Sequence, residues 1–347
     1  MNHKQLTLAV FGTGRIGAVH ARNAAAQPGV AVKYLVDPIE SEARRAIALH
    51  SGAAIVDAGT VFSDPDVDGV IVASSTDTHT DLLLQAARAG KAVFCEKPVS
   101  LEFAQVVRVA SMIRESGIPC MLGFQRRYDP NFRLVRERIA QGASGNLEQI
   151  IMTTRDPSPP PVEYVKRSGG LFRDQAIHDF DMARFLLGEE IATVYAVGGC
   201  LIDPAIGEAG DIDTAMITLK SVSGRFVQMN NCRRAAFGYD QRLEAVCSRE
   251  VLSVGNSPQH SVTVADAKGF TAAPPENYFI ERFAEAYRLE MAAFIGMLRN
   301  GTKPLAGIEE GLEAQRLAEA AQLSLESGQP VAIYPDWMPV RDQIAMH

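Results

Sequence analysis

Near the start of the chain an apolar run breaks into Gly-Thr-Gly-Arg-Ile-Gly, and this break constrains the fold more than any other feature. The run from Leu6 to Phe11 has the length and the β-rich composition of a buried strand. Gly12, Gly14 and Gly17 follow it with the spacing G-x-G-x-x-G, and the residues from Ile16 to Ala26 have a helical pattern. A strand, a glycine-rich turn and a helix in this order predict a dinucleotide-binding unit.

The glycines and the next strand indicate which dinucleotide. Gly12 permits the tight turn, Gly14 lets backbone amides approach a pyrophosphate, and Gly17 lets the helix pack closely on the strand. The helix N-terminus then presents unpaired N–H groups to the phosphates. The strand from Val30 to Val36 leads to Asp37, whose carboxylate can accept hydrogen bonds from ribose hydroxyls and repels a 2′-phosphate. We therefore expect NAD in preference to NADP, unless Asp37 is only a turn residue.

Composition excludes several classes of protein. A chain of 347 residues is long for one core and suits two domains. The net charge of −7 argues against a nucleic-acid or anionic-membrane partner. The five cysteines are widely spaced and none forms a C-x-x-C pair, so we expect a reducing compartment and neither a disulfide framework nor a metal site. No stretch approaches the roughly 20 apolar residues of a bilayer span, and no apolar targeting segment precedes the first strand, which favours the cytoplasm.

The first third of the chain alternates between strands and helices, which predicts a doubly wound parallel sheet in an α/β domain over residues 1–124. Ligands on such sheets bind beyond the carboxyl ends of the strands. The predicted cofactor contacts along that edge are Gly12, Thr13, Gly14, Arg15, Ile16, Gly17, Asp37, Ser74, Ser75, Thr76, His79 and Glu96.

Residues 125–347 have a different pattern, in which several strands follow one another without helices between them. This succession predicts a second α/β domain with a largely antiparallel, open sheet. A proline-rich stretch, 156–161, interrupts it and cannot belong to a central strand. A helix is predicted from Gly170 to Leu187, and two further helices, Phe279 to Arg299 and Ile308 to Ser327, close the domain.

Two groups of residues could carry chemistry. Lys97, in Glu96-Lys97-Pro98, follows a strand of the first domain, where its amine could hydrogen-bond a substrate hydroxyl and favour its alkoxide form; it could equally be a surface lysine in a turn. Asp174, His178 and Asp181 have the spacing i, i+4, i+7, which places them on one face of an α-helix. Asp174 could then orient the His178 ring while the other ring nitrogen takes a proton from an alcohol. The alternative is a solvated histidine among ordinary acidic residues.

The set GTGRIG, VDP, CEKPVS, GFQRRYDP, GGLFRDQAIHDFDMARFL and FGYDQRLE resembles the glucose–fructose oxidoreductase and inositol dehydrogenase family, from Leu6 to about Pro335. The resemblance implies an N-terminal Rossmann domain for NAD and a C-terminal α/β domain that binds substrate and builds a homo-oligomer, a dimer or a tetramer. It implies that Lys97, Asp174 and His178 are catalytic. The substrate contacts that it implies are Lys97, Arg126, Asp156, Asp174, His178, Asp181 and Tyr239. Gln175, Ala176 and Ile177 depart from the usual residues before the histidine.

We therefore expect an NAD-dependent oxidoreductase that acts on a cyclic polyol, first of all on myo-inositol, giving its 2-keto product. Another cyclitol or a pyranose sugar is the alternative substrate. A non-catalytic sensor that binds NAD and a sugar is the alternative class, although such a protein would be expected to lack the lysine or the histidine.

Overall fold

A computed structural model describes residues 5–339, and the ends of both predicted domains, 1–4 and 340–347, lie outside the described residues. The chain forms two compact units. Unit 1 contains the residues up to Tyr128 together with Glu285–Glu313, and unit 2 contains Asp129–Ala284 and the residues from Ala314 onwards. No helix in the described part of the chain has both the length and the apolar character that crossing a bilayer requires.

The strands are β1 (Leu6–Phe11), β2 (Val30–Val36), β3 (Ala54–Ile55), β4 (Gly69–Val72), β5 (Ala92–Glu96), β6 (Cys120–Gly123), β7 (Leu147–Arg155), β8 (Ile191–Gly199), β9 (Thr214–Ser221), β10 (Phe226–Cys232), β11 (Asp240–Cys247), β12 (Val251–Val254), β13 (Thr263–Asp266), β14 (Gly269–Ala272) and β15 (Val331–Ala332). The helices are α1 (Arg15–Ala25), α2 (Glu42–Ser51), α3 (Ala58–Ser63), α4 (Thr76–Arg88), α5 (Phe103–Ser116), α6 (Pro130–Ala140), α7 (Val162–Ser168), α8 (Ile177–Leu187), α9 (Pro204–Glu208), α10 (Phe279–Arg282), α11 (Ala284–Asn300) and α12 (Ile308–Ser327).

Unit 1 is built on a six-stranded sheet with the order β3-β2-β1-β4-β5-β6, in which every pair is parallel. The order reverses beside β1, so the first strand and the glycine turn after it lie at the switch point of the sheet. The predicted doubly wound Rossmann sheet is confirmed. The strands are short apolar runs buried on both faces, as crossover helices require.

Helix α11 returns late in the sequence to complete the core of unit 1. Met291, Phe294 and Ile295 are buried in the cluster that contains Leu8 from β1. The Phe294 ring meets that of Phe94 edge to face, with centroids 5.8 Å apart. The compact units therefore differ from a single division at residue 124, because the apolar face of α11 packs with the parallel sheet.

Unit 2 is built on a seven-stranded sheet with the order β12-β11-β7-β10-β9-β8-β15. It is largely antiparallel, as predicted, but β7 and β10 pair in parallel. The apolar alternation from Gln241 to Val254 predicts a single strand, but these residues form a hairpin, in which β11 turns back into β12. Strands β13 and β14 form a separate, exposed two-stranded ribbon.

The predicted helix from Gly170 to Leu187 is not one continuous α-helix. Its first part, Phe172–Ala176, is a π-helical turn, and α8 begins at Ile177. A π turn has i→i+5 hydrogen bonds, so it contains more residues than an α-helical turn. The angle between the Asp174 and His178 side chains therefore differs from the one that the α-helical spacing predicts. The helix predicted from Phe279 is also interrupted, at Phe283 between α10 and α11.

Candidate functional site

The glycine turn after β1 has the close approaches that its sequence predicts. Gly12 has φ +87°, and a Cβ there would lie 2.5 Å from the carbonyl oxygen of Ala73. A Cβ on Gly17 would lie 2.1 Å from the carbonyl oxygen of Gly12, so only glycine lets α1 pack this closely. In contrast, a Cβ on Gly14 would meet nothing within 4 Å. The turn is therefore tight where the chain packs on itself and open at its middle glycine.

The N-terminus of α1 is suited to an anion. Gly14 is its N-cap and supplies no side chain, and the first turn carries no acidic residue. The exposed Arg15 begins the helix, Ile16 is half-buried, and Thr13 is buried. The first N–H groups of the helix have no intrahelical acceptor, and no acidic side chain of the first turn competes with a ligand for them.

Asp37 joins the end of β2 to the glycine turn. One carboxylate oxygen accepts hydrogen bonds from the amide and the hydroxyl of Thr13, each 2.7 Å long, and the other accepts from the Ile39 amide at 2.9 Å. Burial acts to raise the pKa of Asp37, but these hydrogen bonds and the nearby Arg44 bring it below its ordinary value. Asp37 is thus held as a carboxylate at the turn.

The residues after β4 begin the next helix. Ser75 is the N-cap of α4 and Thr76 is its first residue, while the Ser74 hydroxyl hydrogen-bonds with that of Thr78. His79 is 1 % exposed, and its two ring nitrogens lie 2.8 Å from the carbonyl oxygen of Pro98 and 3.2 Å from that of Ser74. Burial lowers the pKa of His79. Its contacts here are with the protein backbone, and its cofactor contact stays a prediction.

The Glu96-Lys97-Pro98 segment lies at the carboxyl end of β5. The Glu96 carboxylate lies 2.6 Å from Nε2 of the fully buried His20 and accepts a hydrogen bond of 3.2 Å from the Lys97 amide. Lys97 itself is half-buried. Arg126 also belongs to unit 1, in the 3₁₀ turn Gln125–Tyr128, and it is 4 % exposed. The predicted boundary at residue 124 places Arg126 in the second domain.

In unit 2, Asp174 has two strong partners. Its Oδ2 lies 2.9 Å from Nη2 of Arg233, and its Oδ1 accepts a hydrogen bond of 2.9 Å from the hydroxyl of Tyr164 on α7. Burial raises the pKa of Tyr164, and the neighbouring Asp174 raises it further, so Tyr164 stays a donor. The Asp174 carboxylate is thus held in place from both sides by an arginine and a phenol hydroxyl.

Arg233 also pairs with Asp156, which follows β7. Nη1 of Arg233 lies 3.4 Å from the Asp156 carboxylate, and the amide of Gln175 donates to the same oxygen at 2.7 Å. Burial raises the pKa of Asp156; the charge of Asp174 adds to this, and Arg233 opposes it. The departure at Gln175 from the usual residues thus places an amide against Asp156.

The remaining polar residues of α8 differ in burial. His178 is half-buried, whereas Asp181 is fully buried. Asp179, which faces away from His178 in the predicted helix, is 1 % exposed and accepts hydrogen bonds from Thr154 at 2.8 Å and from Asn231 at 2.7 Å. It anchors α8 to β7 and β10.

The predicted Tyr239 is 6 % exposed and its ring meets those of Tyr278 and Phe283 edge to face, with centroids 5.4 Å and 6.3 Å away. Unit 2 thus brings Asp156 and Asp174 together through Arg233, which sequence reasoning missed. The adjacent pair Arg233-Arg234, directly after β10, was the available signal, but nothing in it tells which arginine turns inward.

A glycine turn open at Gly14, an uncapped helix N-terminus and Asp37 at the next strand fit a dinucleotide, so unit 1 defines an NAD-binding oxidoreductase domain. Residues 6–124 match the oxidoreductase family's NAD-binding Rossmann fold, and residues 136–333 match the C-terminal alpha/beta domain of the same family. The chain belongs to this family, named GFO/IDH/MocA.

Several known proteins are similar to this chain over almost its whole length. It is 40% identical over 324 residues to inositol 2-dehydrogenase of Rhizobium meliloti, a match that covers 93% of this chain and 98% of that protein. A crystal structure of a myo-inositol dehydrogenase from Corynebacterium glutamicum is similar with a TM-score of 0.91, at 38% identity over 95% of this chain and 99% of that one. Scyllo-inositol dehydrogenase from Lactobacillus casei, crystallised with NAD(H) and scyllo-inositol, has a TM-score of 0.88 at 27% identity, over 95% and 99% of the two chains.

Proposed function

We propose that this protein catalyses the NAD-dependent oxidation of a cyclic polyol, and of myo-inositol to its 2-keto product first of all. The observation that supports this most is the Asp174 carboxylate, held by Arg233 and Tyr164 on the π turn that leads into His178. A fixed carboxylate before a half-buried histidine is what a general base for an alcohol requires. The names of the relatives narrow the alcohol to an inositol.

In this proposal His178 takes the proton of the reacting hydroxyl, and Asp174 orients the ring and stabilises its protonated form. Lys97 hydrogen-bonds the same hydroxyl oxygen and favours its negative charge as the proton leaves. When bound, NAD supplies the hydride acceptor. The predicted cofactor contacts, from Gly12 to Gly17 and at Asp37, would hold its phosphates and ribose.

The proposed pocket residues are polar groups that a polyol can use. Arg126 donates hydrogen bonds, Asp156 and Asp181 offer carboxyl groups, and Tyr239 offers a hydroxyl on an aromatic ring. We propose that unit 2 carries substrate binding and oligomerisation. The raised pKa of Asp156 suits this role, since a carboxyl that protonates more readily can donate to a substrate hydroxyl as well as accept from it.

The test is NADH formation by the purified protein against a panel of inositol isomers and aldoses. We expect myo-inositol to give the highest kcat/KM. If scyllo-inositol, another cyclitol or a pyranose gives the highest kcat/KM, the proposed substrate is wrong but the proposed reaction, NAD-dependent oxidation of a polyol, stands. Binding of NAD and a polyol by calorimetry, with no NADH formed from any member of the panel, would show a sensor and refute the proposal.

We also propose a homo-oligomer that forms through the open face of the unit 2 sheet. Val197 and Met216, which lie opposite each other on β8 and β9, are 47 % and 51 % exposed, and Phe226 on β10 is 53 % exposed. Apolar residues exposed together on one sheet face favour burial against a second copy. Met216→Glu should lower the mass measured by light scattering, whereas Leu49→Glu on the exposed side of α2 should not.

A cytoplasmic location is part of the same proposal. Cys95, Cys120, Cys200, Cys232 and Cys247 are all free thiols, which suits a reducing compartment. Cell fractionation of the native producer tests it, and recovery of the protein outside the cytoplasmic fraction would contradict it.

A further inference from the structure

We propose that His20, acting through Glu96, is a positioning residue for Lys97. The inference rests on the proposed function, in which Lys97 acts on the substrate hydroxyl. His20 lies on α1, the helix that follows the glycine turn, and Lys97 follows β5, two strands away from β1 in the sheet. The carboxylate of Glu96 connects His20 with Lys97.

The carboxylate of Glu96 is shared between the two. Its Oε1 lies 2.6 Å from Nε2 of His20, and its Oε2 accepts from the backbone amide of Lys97 at 3.2 Å. An ionised carboxylate only accepts hydrogen bonds, so Nε2 of His20 carries the shared proton. Nδ1 of His20 is buried and has no hydrogen-bond partner among residues 5–339. This fits the Nε2–H tautomer, because a buried acceptor is left unpaired more readily than a buried N–H.

Neither partner has room to move. The His20 ring is fully buried and lies edge-on to Phe94 and Tyr287, with centroids 4.7 Å and 5.8 Å away. The Glu96 carboxylate lies over Gly123 on β6, where an added Cβ would come within 2.8 Å of Oε2. The position of the carboxylate is therefore set by three elements, α1, β5 and β6.

The opposite side of Lys97 is held in the same way. Nδ1 of His79 on α4 lies 2.8 Å from the carbonyl oxygen of Pro98. Both residues next to Lys97 are thus held by buried histidine rings, while Lys97 itself is half-buried. Two fixed flanking residues therefore hold the lysine backbone in one position.

Rate depends strongly on such positioning. A displacement of about 1 Å at a reacting group can cost on the order of a hundredfold in rate. His20→Leu removes the donor to Glu96 at similar volume, so we expect kcat for polyol oxidation to fall by about tenfold or more, while NAD affinity stays within about twofold. His20→Gln places an amide N–H near the position of Nε2 and should restore most of kcat.

The decisive measurement is the deuterium isotope effect on kcat, with the polyol deuterated at the reacting carbon. A misplaced lysine slows the chemical step, so His20→Leu should raise the isotope effect. Val109→Ala truncates a fully buried side chain of α5, on another element of unit 1, and serves as the control. It should lower thermal stability and leave both kcat per folded molecule and the isotope effect unchanged.

Double variants separate this inference from the proposed function. Lys97→Met should lose turnover, and adding His20→Leu to it should cost nothing further, because both act through the same amine. A folded His20→Leu protein with wild-type kcat and isotope effect would overturn the positioning role, even if Lys97→Met is inactive. A fully active Lys97→Met would instead overturn the role of Lys97. If His20→Leu does not fold, Glu96→Gln must show the raised isotope effect, and a wild-type value there refutes the inference.

Discussion

Arg233 and Asp174 form an ion pair in unit 2, with Nη2 and Oδ2 2.9 Å apart and side chains that are 4 % and 13 % exposed. The same guanidinium reaches Asp156, so one arginine compensates two carboxylates, of which Asp156 is buried. Removing one member of a buried pair is costly because the remaining charge loses its partner.

Arg233→Met should therefore lower the free energy of unfolding by about 3–5 kcal/mol, as measured in urea. Arg234→Met, which changes the neighbouring exposed arginine, is the matched control and should change the free energy of unfolding by less than about 0.5 kcal/mol.

Arg233→Met should also raise the pKa of Asp156 further, since Arg233 opposes the rise. A raised folded pKa means that the native state holds the proton longer than the unfolded state. The variant should thus lose stability more steeply than wild type as pH rises above about 4, the ordinary aspartate value. Parallel pH profiles would contradict this.

Asp37 should decide between NAD and NADP. In wild type, kcat/KM should be higher with NAD, because the carboxylate repels a 2′-phosphate. Asp37→Ala should narrow or reverse the difference, while Asp81→Ala on the exposed side of α4 should leave it unchanged. A wild-type preference for NADP of about tenfold, roughly 1.4 kcal/mol in the opposite direction, would refute the assignment.

His178→Ala should lower kcat by about 10² to 10⁴ with NAD affinity nearly unchanged, because a general base acts on the substrate proton. Asp174→Asn should lose less kcat, since the histidine remains, but it should also destabilise unit 2 by weakening the pair with Arg233. His50→Ala, at the exposed end of α2, controls for histidine removal. Wild-type turnover in both site variants would require another base.

Lys97→Met retains a similar length and removes the charge. We expect kcat to fall by at least about a hundredfold, roughly 2.7 kcal/mol, because the amine stabilises charge that develops during reaction. Lys303→Met, an exposed lysine of unit 1, should have no effect. Unchanged NAD binding by calorimetry shows that the loss lies in the chemical step. A Lys97→Met protein with more than about a tenth of wild-type kcat would contradict the role of Lys97.

The hydrophobic pattern of the sequence correctly predicted the strands whose ends are fixed by neighbouring residues. The observed bounds of β1 and β2 are those read from the sequence, because short apolar runs ending in glycine or aspartate are unambiguous. The π turn at Phe172–Ala176 was missed because hydrophobic spacing cannot distinguish a π turn from one α-helical turn. The return of α11 to the parallel sheet was also missed, since an amphipathic pattern shows that a face is buried but not against which sheet.

In the candidate site, too, the sequence predicts contacts between neighbouring elements but not contacts between residues far apart in the chain. The glycine turn and Asp37 are neighbours through adjacent strands, so the sequence order predicts their contact. The pairs Arg233–Asp174 and His20–Glu96 join residues far apart in the chain, and no local spacing encodes either. His20 in particular is one histidine in a helix, and only its complete burial marks it as more than a surface residue.

The position of α11 in the chain affects how the protein is synthesised. A nascent chain that ends at residue 284 already contains all six parallel strands, but Met291 and Phe294 have not yet been made. Throughout translation of residues 129–284, the surface that α11 will cover on β5 stays apolar and exposed, which is a hazard for aggregation on the ribosome. Residues 129–284 of unit 2 are in effect an insertion between two parts of unit 1, so the sheet that is synthesised first is completed only after the inserted residues have emerged.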